Sequence, residues 1–120
     1  MNFYMDYWEI IAKISSHKNI SIKEAVKQYY ELSGIPSNDF LEVLLNANEK
    51  DLIPYNSKVK ICDDTKKLLA YGIQPDGAGF KTCITDIVID NEDNTGNRIY
   101  YLVSADSSSL YPREILQRID

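Results

Sequence analysis

Histidine is almost missing from this chain: His17 is the one copy, and the two cysteines, Cys62 and Cys83, show no CxxC spacing. A metal centre would need His17 to meet cysteines placed far along the chain, and a nucleophile–base pair would need a Ser or Cys brought to it by tertiary contact alone. His17 therefore reads as a solvated residue in a polar turn. The cysteines read as buried thiols, whose spacing neither requires nor forbids a disulfide. The carboxylate pairs Asp63/Asp64 and Asp86/Asp90 fall at strand ends or along a strand face, with nothing to mark either as desolvated. No recognisable constellation of nucleophile, base and oxyanion donors is present, so the chain is expected not to be an enzyme and to need no metal or cofactor.

Clustered positive charge is lacking as well. Thirteen Lys and Arg stand against 18 Asp and Glu, for a formal charge of −5 and a pI near 4.8. The deficit is shared, −3 up to Ile53 and −2 beyond it, so neither half is a basic module and a phosphate backbone meets a repulsive field. An acidic chain can instead imitate nucleic acid toward a basic protein. Uncharged apolar runs of the ~20 residues that span a bilayer are absent too. The opening stretch MNFYMDYWEIIAKI carries Asp6 and Glu9 and has neither a basic start nor a small-residue cleavage site, so a cytoplasmic, reducing location is the expected default.

What is present is an ordinary globular composition, 44% apolar and 26% charged, with nine Tyr against one Trp and three Phe. At 120 residues the chain supports one compact unit, read as a helical segment over residues 1–53 and a β unit over 54–120. Tyr4, Tyr7, Trp8, Ile11 and Ile14 recur at helical spacing and predict a first amphipathic helix from Phe3 to about Ser15. Ser21 with Glu24 three residues on is a capping-box signature for a second helix, its buried face made by Ile22, Ala25, Val26, Tyr29 and Leu32. Gly34, Ile35 and Pro36 supply its stop. A third helix, starting around Ser37 to Asp39 and ending before Pro54, turns Phe40, Leu41, Leu44 and Leu45 inward.

Three familiar motifs are approached and missed. The helix pair joined by SGIPS invites comparison with a DNA-reading helix-turn-helix, but its second helix presents Asn38, Asp39, Glu42, Asn46 and Glu49 with Lys50 as its cation, the wrong charge for bases and phosphates. DGAGFKT has the glycines and the Lys-Thr of a phosphate loop, yet Phe80 breaks the spacing and a strand follows where a helix is required. DNEDNTGN alternates carboxylates and amides as a calcium loop does, but puts Thr95 at the sharp turn and Tyr101 at the bidentate position. It reads as a hairpin loop closing on Gly96.

The second half alternates as strands do. In SKVKIC, Val59 and Ile61 alternate with Lys58 and Lys60; KKLLAYG is a short helical or turn-like insert; QPDGAG is a loop. KTCITDIVID and RIYYLVSAD form a hairpin. The second of these strands is apolar on both faces, so one face should line a core and the other lie against the helices. ADSSS reads as a turn, SLY as a short strand and PREIL as a helical turn begun by Pro112.

The order KVKI, long loop, TCITDIVID, polar turn, NRIYYLVSAD and SLYPREI resembles the small SH3-like barrels of bacterial and phage proteins over residues 58–115. The resemblance implies an antiparallel SH3-like β-barrel and a binding module whose contacts come from loops and exposed aromatics; with the three N-terminal helices packed on it, the expected fold class is α+β. Tyr55, Tyr71, Tyr100 and Tyr111 lie in or beside that unit, with Asp106 and Arg113 flanking the last strand, and these six are the candidate binding residues. The expectation is a small acidic non-enzymatic protein that binds another macromolecule. The suggested kind is an inhibitor or immunity protein of phage or mobile-element type, set against a basic nucleic-acid-binding enzyme. The alternatives are a nucleic-acid-associated regulator using Lys58, Lys60, Lys66, Lys67 and Lys81, and a small enzyme whose site goes unrecognised.

Overall fold

The computed structural model describes residues 3–33, 39–90 and 98–120. Helix α1 (Phe3–Lys18) runs one turn further than its apolar stripe requires and carries His17 in its exposed last turn, not in a linker. Asn19 ends it in the left-handed conformation, φ 54°, which Asn tolerates better than most side chains. Trp8 and Ile11 are fully buried, and Tyr7 meets Tyr29 of α2 (Ile22–Ser33) edge to face at 5.0 Å. Ser21 caps α2 by accepting the Glu24 amide at 3.0 Å. A second cap comes from far away in the chain: the Glu49 carboxylate accepts the amides of Ile22 and Lys23 at 2.8 and 3.1 Å, placing a negative charge at the positive end of the helix.

Ile22, Ala25 and Val26 are buried as expected, but Leu32 is 77% exposed. It sits in the last turn of α2, beyond Tyr29, where the stripe facing α1 ends. In α3 (Asp39–Asn46), Val43 and Leu44 are buried, and a 3-10 turn, Glu49–Asp51, leads to the sheet. The stop expected at Gly34 to Pro36 and the hairpin loop closing on Gly96 lie outside the described residues, as do the side chains of Tyr4, Phe40 and Leu41.

The sheet has five antiparallel strands in the order β4-β3-β2-β1-β5: β1 (Lys58–Ile61), β2 (Lys81–Asp90), β3 (Arg98–Val103), β4 (Asp106–Pro112) and β5 (Leu116–Arg118). The hairpin is paired as its alternation predicts, Ile84 opposite Val103 and Ile89 opposite Ile99. The sheet is open, with β4 and β5 as its edges, and among the described residues it does not close into a barrel. Two boundaries differ from expectation. Residues 106–109 belong to β4, because the turn is confined to Ser104 and Ala105. Beyond the 3-10 turn Arg113–Ile115 the chain adds β5, which pairs with β1, Lys60 opposite Gln117. A fourth helix, α4 (Thr65–Ala70), fills the β1–β2 connection.

A bulge between Ile84 and Asp86 breaks the register of β2, letting Ile84 and Ile87 both point inward. It also buries Asp86 completely, its carboxylate accepting the Ile87 amide at 2.7 Å. The solvated strand-face reading of Asp86 is thereby corrected, and the bulge is the reason.

One core cluster draws on both halves, from Trp8, Ile11, Val26 and Leu44 through Ile53 to Val59, Ile84, Tyr101 and Ile115. The junction is Ile53, whose peptide groups are taken from opposite sides. The Trp8 indole N–H donates to its carbonyl at 2.9 Å, and its amide donates to the Tyr101 hydroxyl at 2.9 Å. That hydroxyl in turn donates to the Asp51 carbonyl. Buried main-chain polar groups must find partners, and here two aromatic side chains provide them, locking helices to sheet. Among the described residues no helix is long and apolar enough to cross a membrane.

Candidate functional site

The β1–β2 connection is built to hold a fixed shape. Asp64 caps α4 by accepting the Lys66 and Lys67 amides. The helix ends on Gly72 (φ 76°), with Gly72 N–H bonded to Leu69 and Ile73 N–H to Leu68, a Schellman closure that buries Leu68 and Ile73. A 3-10 turn opened by proline, Pro75–Gly77, follows. Gly79, at φ 79°, then lets its amide reach the Ile61 carbonyl at 3.0 Å while Ile61 N–H bonds to Phe80 at 2.8 Å. The loop is thereby riveted to the end of β1.

Across from it, β4 is placed by Thr82. This buried hydroxyl accepts the Ala105 amide at 3.0 Å and shares a hydrogen bond with the Ser104 hydroxyl at 3.0 Å. Asp106 then accepts the Ser108 amide (3.0 Å), the Ser108 hydroxyl (2.7 Å) and the Tyr111 hydroxyl (2.9 Å). These donors, Ser108 foremost, hold the Asp106 carboxyl down at about 2, so it is anionic throughout the neutral range. Burial, followed by the Asp106 partner and the Asp76 charge, pushes the Tyr111 phenol well above its ordinary value.

Between loop and strand lies a cleft of about 260 Å³ lined by Ile61, Gln74, Asp76, Gly77, Phe80, Ala105, Asp106, Ser108 and Tyr111. Its lining includes the aromatics Phe80 and Tyr111 and the carboxylates Asp76 and Asp106, and none of its lining residues is cationic. Phe80 is 57% exposed.

Of the six residues singled out in the sequence, the structure brings Asp106 and Tyr111 together here. The Tyr111 ring itself is core, 1% exposed, with its hydroxyl at the cleft. Arg113 belongs to a separate groove of about 640 Å³ between residues 46–51 and the turn after β4. Its guanidinium is occupied by the carbonyls of Lys50 and Leu116, which makes it a tie between layers. Tyr100 stands opposite Pro112 on the neighbouring strand, and Tyr55 and Tyr71 are half-buried at the margin of the core, lining neither cleft. Asp76, Gln74 and Phe80 were missed, because QPDGAG reads as turn chemistry alone. An aromatic set between a turn glycine and Lys81 was the available signal.

No family model, curated protein or solved structure matches this chain. The site must therefore be read from its own chemistry. Among the described residues no group of His, Cys, Asp and Glu is arranged to hold a metal ion. His17 is exposed at the end of α1 and lines neither cleft. Of the five lysines of the nucleic-acid alternative, Lys60 and Lys81 are directly opposite on β1 and β2, with Lys58 two residues along. Lys60 pairs with Asp63 at 3.4 Å, and Lys66 and Lys67 stand apart on α4.

Proposed function

We propose that the protein acts by binding another protein, without catalysis of its own, through the end of the sheet where residues 74–80 face β4. The observation that carries this reading is the cleft itself, a recess between a hydrogen-bonded loop and β4 whose lining combines aromatic and acidic residues and includes the exposed Phe80. Exposed aromatics beside a preformed recess are the usual anchors of protein interfaces. We read the sheet as SH3-like, on the strand order β5-β1-β2-β3-β4 and the 3-10 turn between β4 and β5. The net charge of −5 favours a basic partner. An inhibitor or immunity protein of phage or mobile-element type, covering the nucleic-acid site of an enzyme in the cytoplasm, fits that charge.

A photo-crosslinking residue placed at Phe80, with a control at Lys27 on α2, tests this in cells that make the chain. A discrete protein adduct from position 80 and none from 27 is expected. Equal labelling from both positions, or recovered nucleic acid, would refute it.

The nucleic-acid alternative draws on one observation, the juxtaposition of Lys58, Lys60 and Lys81 on adjacent strands. Like charges directly opposite are unfavourable in a ladder unless something neutralises them. Binding of DNA or RNA that weakens steeply with salt would favour this reading over the first.

A further inference from the structure

We infer that the cleft between residues 74–80 and β4 is a socket for an arginine side chain presented by the protein partner. The inference rests on the protein-binding reading above and specifies what that surface recognises. Its size is the first reason: about 260 Å³ falls below the roughly 300–1,000 Å³ of small-molecule pockets and suits one long side chain.

Charge is the second. Asp106 is satisfied by neutral donors, the Ser108 amide, the Ser108 hydroxyl and the Tyr111 hydroxyl, so its hydrogen bonds orient it without cancelling its charge. Asp76 lines the same cleft and, among the described residues, has no hydrogen bond or ion pair to its side chain. A recess with anions and no cation of its own is complementary to a cation brought from outside.

Shape and aromatic character distinguish arginine from lysine. The acceptors are spread over separate walls, Asp76 and Gln74 from the loop and Asp106 from β4. A planar fork with five donors can bridge such walls, whereas an ammonium acts as a point charge. Phe80, exposed in the lining, supplies an aromatic ring of the kind on which a guanidinium stacks. A Cβ built on Gly77 would lie 3.9 Å from the Ile61 side chain and 4.0 Å from the Tyr111 hydroxyl, so the absence of a side chain at Gly77 leaves space beside these two lining groups.

The test uses N-acetylarginine amide, with its lysine and citrulline counterparts, titrated into the isotope-labelled full chain and followed by amide shifts. The arginine probe is expected to move Gly77, Phe80, Ala105 and Ser108 saturably, the lysine probe to bind several-fold more weakly, and neutral citrulline to leave the amides in place. Asp76→Asn, which removes no internal hydrogen bond or ion pair, and Asp106→Asn should each weaken the arginine probe by about tenfold. Phe80→Ser should weaken it too. No saturable shift with arginine, equal shifts with citrulline, or tighter binding of calcium chloride at the same amides would overturn the socket. Those outcomes leave the protein-binding reading to be decided by the cross-link at position 80, which does not depend on what enters the cleft.

Discussion

Replacing Tyr101 with Phe deletes one oxygen from a fully buried side chain and should be among the more damaging conservative changes in this protein. That oxygen accepts from Ile53 N–H at 2.9 Å and donates to the Asp51 carbonyl. Ile53 is 1% exposed, so its stranded amide has no water to turn to, and a buried unsatisfied group costs about 1–3 kcal/mol. Asp51 is half-buried; its carbonyl recovers part of the loss from solvent. A total of about 2–3 kcal/mol follows, which lowers the urea midpoint by about 1–2 M for a typical slope of ~1.5 kcal/mol/M. Tyr100→Phe, on the other face of the same strand, is the control and should stay within about 0.5 kcal/mol. Trp8→Phe frees the Ile53 carbonyl, and the double variant should show coupling of at least ~0.5 kcal/mol, because the two changes act on the amide and the carbonyl of one residue. A Tyr101→Phe protein as stable as wild type would refute the claim that this hydroxyl joins the helices to the sheet.

Burial raises the phenol pKa of Tyr7, Tyr101 and Tyr111 above the ordinary value of 10.0. The unfolded chain releases those protons first, so stability is complete below pH ~10 and declines above it. Absorbance of tyrosinate should therefore rise partly near pH 10 and then jump with cooperative unfolding. For Asp106 the sign is opposite: held at about 2 from an ordinary 3.8, it contributes stability above pH ~4 that fades as pH drops toward 2, and Asp106→Asn should flatten that acid limb. Glu49→Ala removes the distant cap of α2 and should cost about 1 kcal/mol by urea melt. Gly79→Ala and Gly72→Ala, both at positive φ, should cost ~1–2 kcal/mol, and Gly79→Ala also pushes aside the Asp63 carboxylate 2.6 Å from the new Cβ. Gly77→Ala meets ordinary contacts and should be near neutral.

Local signals told the truth wherever the local neighbourhood was the whole story. The Ser21 cap, the Val59 and Ile61 alternation and the pairing of residues 84–89 with 99–103 follow from patterns a few residues long. What escaped depends on partners distant in the chain. The segment Leu116–Arg118 has one apolar residue and becomes a strand because β1 offers it an edge. Glu49 reads as a solvated charge until it is seen 27 residues away on the α2 amides. Asp86 is buried by a bulge that periodicity does not announce. Of the cleft, Asp106 and Tyr111 were legible as suspects, for aromatic and charged character near a strand end. Asp76 and Phe80 join them through the fold of the β1–β2 connection, which brings a turn against a strand 30 residues downstream.

The Ile53 junction also has a kinetic signature. Its side-chain partners lie 45 residues before and 48 after it, so each hydrogen bond closes a long loop whose entropy must be met before the bond stabilises anything. Substitutions there should leave the refolding arm of a chevron nearly unmoved and steepen escape from the native state instead. The lifetime of the folded molecule, more than the speed at which it is reached, is therefore expected to respond to changes around Ile53.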